Sequence, residues 1–464
     1  MLTYDLSARG ALPMYEYLAA RIREDVLSGA LPAGEKLPSR RALSEHLGVS
    51  VITVEAAYAQ LEAEGCVVAR PRRGYFVAEA AEGQRSRRAS PKPRQACEGA
   101  RWRLDLRGSM VDPSSFPAAA WARLTRQTLR QDSRALLSAV PHEGLPELRQ
   151  AIADYLAGYK GMDVPPERIV IGAGAEFMYI MLAQLLGPGA RIAVEDPGYP
   201  KIRQVYSRSG AKCLPLALSS SGIEPEALYD SGARAVLISP SHQFPTGLIT
   251  PVPRRQALLR WAGEAGGYII EDDYDSELRF TGKPLPTLQS IDGAGRVIYM
   301  NTFSQTISPS MRLAYMALPE ELMERWRREL GFYSCAVPAL EQQVLARFLA
   351  GGEYERHLSR MRKEYRARRA EVLSAFRSAP FADRIEIVER GAGLHFLLRL
   401  DTQMTDAELR SRAEGLGVRL GFLSDYCAEP REESGHTLVI SYAGLGSGKL
   451  DEAVGLLSEV FGVR

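Results

Sequence analysis

Apolar side chains recur every fourth residue at Leu18, Ile22 and Val26, and Gly29 follows, a pattern that predicts an amphipathic helix over 13–28. Ser39 then stands as the cap of a short helix running to Leu47, and Gly48 turns the chain. Ser50 caps another helix that runs to Glu64, with Gly65 as its end. Two short helices joined at a glycine are a helix-turn-helix. Short β segments are predicted at 66–69 and 75–78, around Pro71-Arg72-Arg73-Gly74, as a hairpin tipped with bases. Helix, helix-turn-helix and hairpin in that order predict a winged helix over 11–79.

Residues 80–101 break the pattern. The run from Glu82 to Arg94 has almost no apolar content and holds two prolines among its bases, which predicts a flexible basic linker. From Trp102 onward strands at 168–172, 191–195, 233–239, 267–272 and 296–303 alternate with helices such as 175–186 and 254–265. Parallel strands with crossover helices predict an α/β sheet covered on both faces. Long polar–apolar helices are predicted at roughly 320–350 and 353–378, with an α+β portion from about 385 to the end. The expected fold is therefore multidomain. A winged helix over 11–79 and a linker over 80–101 precede an α/β domain over 102–464, whose last part, about 353–464, is a small C-terminal subdomain.

Composition narrows the class without naming a partner. A chain of 464 residues with 45% hydrophobic and 25% charged residues has the balance of a folded globular protein of two or three domains. A net charge of +2 decides nothing about nucleic acid, because a local basic surface is hidden in a neutral total. Cys66, Cys97, Cys213, Cys335 and Cys427 lie far apart, with neither metal-ligand spacing nor a disulfide pattern. They predict reduced thiols in a cytoplasm and no metal site. No apolar run approaches the roughly 20 residues of a membrane span.

The bases fall where a DNA reader needs them. The N-terminal residues of a second helix in a helix-turn-helix face base edges, here Ser50, Val51, Ile52 and Thr53. Arg40 and Arg41 before the turn, and Arg70, Arg72 and Arg73 on the hairpin, are placed for phosphates. The motifs Pro38-Ser39-Arg40-Arg41-Ala42-Leu43, Glu64-Gly65-Cys66-Val67 and Gly74-Tyr75-Phe76-Val77 resemble the GntR superfamily over this whole zone. The resemblance implies double-stranded DNA as partner. It also shows a departure, because many relatives carry an arginine where this chain has Val51, and valine offers only an apolar contact such as one to a thymine methyl.

The second zone carries candidate ligand chemistry. Gly172-Ala173-Gly174-Ala175-Glu176 follows a strand and opens a helix, the context in which backbone N–H groups receive a phosphate. Asp272, Asp273 and Tyr274 end a strand at the carboxyl edge of the sheet, where open α/β sheets bind ligands. Asn301-Thr302-Phe303-Ser304-Gln305-Thr306, with Pro309 and Arg312 beyond, resembles the Schiff-base strand and turn of fold-type I aminotransferases. In that family a lysine follows Thr-Phe-Ser and its amine condenses with the aldehyde of pyridoxal 5'-phosphate. Here Gln305 stands there, and an amide nitrogen delocalised into its carbonyl does not condense, so no catalytic residue is expected.

The same resemblance implies a cofactor site. Gly174, Ala175, Ser304 and Arg312 would hold the phosphate, Asp272 the pyridine nitrogen and Tyr274 the ring hydroxyl, with Tyr199 stacked on the ring. His242, in Ser241-His242-Gln243-Phe244-Pro245-Thr246-Gly247, is either beside that ring or a structural histidine.

Winged helix, basic linker and aminotransferase-like domain together resemble the MocR/GabR family of bacterial transcription regulators over essentially the full length. That implies a head-to-tail homodimer that binds pyridoxal phosphate and answers to a small amine, an amino acid or a vitamin B6 compound. The departures gather at the chemistry. Gln305 replaces the lysine, Gly444 a carboxylate-binding arginine, Lys201 a second arginine, and Ala139 a tyrosine that reaches the partner subunit. They imply a changed ligand, a cofactor held without a covalent bond, or no cofactor. The expected function is regulation without transaminase turnover. The alternatives are an aminotransferase with an appended DNA-binding domain, in which Lys201 or Lys283 would have to supply the missing amine, and a scaffold whose large domain only dimerises the reader.

Overall fold

Two serines open the helices of the turn. In the computed structural model, which describes residues 2–10, 12–78, 102–107, 111–131, 136–282, 285–429 and 435–463, Ser39 Oγ accepts from Ala42 N at 3.2 Å and Ser50 Oγ from Thr53 N at 3.1 Å. Each satisfies a backbone donor that the first helical turn leaves free. The linker expected at 80–101 and Lys283 lie outside the described residues. The chain divides into two compact units, 1–101 and 102–464.

The first unit holds α1 (Met14–Ser28), α2 (Arg40–Leu47) and α3 (Val51–Ala63), then the antiparallel pair β1 (Val67–Arg70) and β2 (Gly74–Val77). Gly48 closes α2 at φ 67°, a left-handed conformation that costs glycine nothing. Leu18, Ile22 and Val26 on α1 pack with Leu43, Val54, Tyr58 and Leu61 in one core. The Tyr58 hydroxyl donates to Pro38 O at 2.9 Å, so even the polar end of this buried ring is satisfied. A bridge from Lys36 to Phe76 adds a further strand residue to the hairpin.

In the second unit β3 (Leu104–Asp105) pairs with β14 (Val418–Arg419). The main sheet uses β4 (Ile169–Gly172), β5 (Arg191–Asp196), β6 (Lys212–Ser219), β7 (Gly222–Ile223) and β8 (Ala235–Ile238). It continues with β9 (Tyr268–Asp272), β10 (Val297–Thr302) and β11 (Ala314–Ala317), in the order β4-β11-β10-β9-β8-β5-β6-β7. Apolar cores lie against it, one built on Met178 and Leu182, another on Ile152 and Phe348, a third on Leu258 and Trp261.

An all-parallel sheet was the expectation, and two strands depart from it: the short edge strand β7 runs antiparallel to β6, and β11 runs antiparallel to both β10 and β4. The reason is length. Only residues 303–313 join β10 to β11, too few for the dozen or more that a parallel crossover needs, so the chain turns back on itself. That return pairs Ala314 with Gly172 and brings the glycine-rich turn beside Ser304 and Arg312.

The single helix expected at 320–350 is two, Glu320–Glu329 and Ala339–Ala350, with Pro338 capping the second. A proline lacks the N–H that a continuous helix would need there. The helix Glu353–Arg377 is unbroken. Its first turns reach the 303–313 return: Tyr354 Oη donates to Thr306 Oγ1 at 3.0 Å, and His357 Nε2 lies 2.6 Å from Thr306 O. Beyond it β12 (Ile385–Val388), β13 (His395–Leu400) and β15 (Thr437–Ser441) form an antiparallel sheet, and its core takes in Leu104 and Leu106. No helix among the described residues is long and apolar enough to cross a membrane.

Candidate functional site

The cradle starts from a glycine whose backbone conformation strains any other residue. Gly174, at φ 90° and ψ 167°, precedes the helix Ala175–Leu186, and a Cβ there would stand 2.8 Å from Arg312 Nη2. Arg312 itself is left-handed at φ 48° and half exposed, with Nη2 3.4 Å from Glu176 Oε2. Ser304 completes the cluster. Its hydroxyl accepts from Thr302 Oγ1 at 2.9 Å, and its N–H donates to the same oxygen at 3.2 Å. A helix start, a guanidinium and two hydroxyls therefore converge, which is the donor set for a dianionic phosphate.

A cavity of about 190 Å³ opens beside this cluster. Ala175, Tyr199, Asp272, Tyr274, Ser304, Gln305 and Arg312 all line it, and Gly174 adjoins it as the cap before Ala175. Asp272 ends β9 and is buried, accepting from Tyr179 Oη at 2.6 Å. Burial, partly offset by that hydroxyl and reinforced by Asp273 and Asp275, lifts its carboxyl to about 7. A carboxyl so poised becomes a carboxylate when a cationic group enters beside it. Tyr274 Oη lies 3.2 Å from His242 Nδ1, which lies 2.8 Å from Asp275 Oδ2. His242 is thus a buried, satisfied histidine that also backs the Tyr274 hydroxyl.

No lysine lines the cavity among the described residues. Lys201, the candidate substitute, is 55% exposed and donates to Glu176 Oε1 at 2.8 Å. Gly444 and Ala139, the other departures, do not line the cavity either.

Two polar lining residues, Tyr179 and Arg203, lie outside the motifs. Tyr179 is four residues beyond Ala175 and Arg203 four beyond Tyr199, so helical phase puts each on the face of its motif residue. Glu195 and Phe244 lie inside recognised segments but were not singled out. Burial holds the Glu195 carboxyl at about 8 although Ser239 N donates to it at 3.1 Å. Arg203 donates to the carbonyls of Tyr426 and Cys427 at 2.9 and 3.0 Å.

These carboxyls set a pH dependence. Glu195 near 8 and Asp272 and Glu271 near 7 all lie above their unfolded values, mainly through burial. Their stabilisation is complete below about pH 4 and is lost as pH rises through the folded values. His395, pushed down to about 3 by burial and His242, changes only below its unfolded value near 6.5. Between pH 6.5 and 8 the ligand-free protein should therefore lose stability, by about 1.4 kcal/mol per pH unit for each proton retained. Melting curves over that range should fall by a few degrees, and Glu195→Gln should flatten the fall. A flat wild-type profile would contradict the assignment.

On the winged helix, Val51 and Ile52 stand 40% and 77% exposed at the start of α3. Thr53 and Ser50 share a 2.8 Å hydroxyl contact within the cap. Arg41 is exposed, whereas Arg40 is ion-paired to Glu55 on α3. On the wing, the Arg70 guanidinium lies 4.7 Å from the centre of the Phe76 ring, and Arg72, at φ 60°, and Arg73 are exposed at the tip. Lys36 is also exposed, brought beside the wing by a pairing that no motif marks.

Comparison with known proteins fits both units. Residues 14–77 match the gntR family of bacterial regulatory proteins, and residues 109–455 match the family of class I and II aminotransferases. The chain is 35% identical to the uncharacterized HTH-type transcriptional regulator YdeL of Bacillus subtilis, over 96% of each. It is 31% identical to the probable rhizopine catabolism regulatory protein MocR of Rhizobium meliloti, over 99% of this chain and 96% of MocR. It is 32% identical to the pyridoxine biosynthesis regulator PdxR of Corynebacterium glutamicum, over 96% and 94%. Kynurenine aminotransferase of Pyrococcus horikoshii shares the fold of the second unit, with a TM-score of 0.68 at 23% identity over 77% of this chain and 90% of that one. The chain belongs to the MocR/GabR family of transcription regulators, in which a gntR-family winged helix is fused to an aminotransferase-like domain.

Proposed function

We propose that this regulator holds pyridoxal 5'-phosphate without a covalent bond and couples that cofactor, or a small amine meeting it, to DNA binding by the winged helix. One observation carries the reading: Gln305 lines a cavity whose other residues fit the cofactor and whose described lining holds no lysine. When bound, the group supplies an electrophilic aldehyde and a ring nitrogen that takes up a proton. Arg312, Ser304 and the N–H groups at Gly174 and Ala175 would bind the phosphate. Asp272 would pair with the nitrogen, Tyr274 with the ring hydroxyl, and Tyr199 would cover the ring. Each charge-assisted contact contributes roughly 1.5–3 kcal/mol, enough for reversible binding.

Turnover would need a titratable amine to carry a proton, which Gln305 does not have. The pyridoxine-linked name of PdxR supports a vitamin B6 compound as the effector. Two copies in one cytoplasmic homodimer would present two readers to paired half-sites and raise affinity through effective concentration.

Titration with pyridoxal phosphate should give the spectrum of the free aldehyde, and dialysis should remove it. Transaminase assays should show no amine-dependent transfer. Borohydride labelling of the unaltered protein at Lys201 would sink this reading and revive the enzyme. Sedimentation at micromolar concentration should give a dimer, and a monomer with and without DNA would remove the half-site argument.

A further inference from the structure

A second cavity, of about 540 Å³, takes no part in the function proposed above. His242 lines it, and the same side chain backs Tyr274 on the first. Asp272 and Asp273, consecutive at the end of β9, line one cavity each.

The second cavity is basic beyond what its own acids neutralise. Lys160, on a π-helical turn (Leu156–Lys160), lies 2.8 Å from Asp273 and 3.0 Å from Glu277. Burial opposes its charge, yet those two carboxylates outweigh it and keep the amine protonated. Arg255 is fully buried and satisfied, donating to the carbonyls of Thr250, Pro286 and Pro240. Arg279, Arg362 and Arg366 remain. Each donates to a carbonyl, of Thr281, Leu358 and Phe280 respectively, and none is ion-paired to a carboxylate among the described residues. The Arg362 guanidinium also lies over the Tyr159 ring, 5.6 Å from its centre. Three guanidiniums without a carboxylate partner, from two chain segments, thus line a common cavity. Two buried carboxylate oxygens, Asp273 Oδ1 and Glu277 Oε2, also lack a hydrogen-bond partner among the described residues.

From this we infer that the cavity binds a dianionic phosphate group, held by Arg279, Arg362 and Arg366. Guanidinium forks match phosphate oxygens in pairs. The volume far exceeds a bare phosphate, which favours a phosphate monoester whose body carries hydroxyl donors. The inference does not rest on the pyridoxal phosphate reading.

Calorimetric titration of the full chain with inorganic phosphate and with glucose 6-phosphate, in chloride of matched ionic strength, tests it. Both should bind, and the tighter one identifies the source as free phosphate or monoester. The double variant Arg362→Ala/Arg366→Ala should weaken binding in the second cavity more than about tenfold, while Arg312→Ala, which removes a phosphate ligand of the first cavity, should abolish only the separate binding event there and leave the second-cavity isotherm in place. Arg362→Lys/Arg366→Lys should recover part of the loss, and unchanged circular dichroism should show that the variants fold. Binding abolished by Arg312→Ala but retained by the double variant would place the anion in the first cavity and overturn the assignment. So would the absence of binding at 10 mM-scale ligand, on the order of the weakest affinities that calorimetry reads.

Discussion

Replacing Gln305 with lysine is expected to give a borohydride-reducible adduct with pyridoxal phosphate at residue 305, where the unaltered chain is expected to form none. The reasoning is local. Thr302, Ser304, Asp272 and Arg312 already line or adjoin the cavity that residue 305 faces, so the substitution adds the one missing group, an amine. Cofactor should then survive dialysis that strips the wild type, and peptide mapping should find the reduced label on residue 305. The effect is all or none in the labelled peptide. An adduct elsewhere, or none, would mean that the return between β10 and β11 does not aim residue 305 at the aldehyde.

The second large effect is on DNA. Arg41→Ala combined with Arg73→Ala should weaken binding to all sequences alike and shallow the salt dependence by roughly two units, about 0.9 for each lost phosphate contact. At about 0.1 M salt that amounts to tenfold or more in affinity. Arg40→Ala should cost less than Arg41→Ala, because Arg40 is engaged by Glu55. Binding isotherms over a salt series decide both points, and unchanged slopes in the double variant would remove the wing and Arg41 from the interface.

What the sequence discloses and what it hides divide along the range of the forces. Ser39, Gly48 and Ser50 act on backbone groups within four residues, so their helices begin and end within a residue of expectation. Strand direction is not local. The apolar run from Leu313 to Leu318 is compatible with either sense, and only the shortness of the connection before it makes β11 antiparallel. The break between Glu329 and Ala339 has a local signal in Pro338, but the apolar periodicity on either side masks it.

The site shows the same division. Asp272, Tyr274, Ser304, Gln305 and Arg312 belong to contiguous motifs, whereas Tyr179, Arg203 and Glu195 join them through helical phase and strand register. Lys160 and Asp273 meet across 113 positions, and no spacing rule could pair them.

The helix Glu353–Arg377 joins the neighbourhood of residue 305 to the C-terminal core. Its first turn is fastened to Thr306, the residue after Gln305, and its 25 residues run on past Arg362 and Arg366 to Phe376, in the C-terminal core. Such a rod is about 37 Å long, so a tilt of about 5° at the fastened end displaces the other by roughly 3 Å.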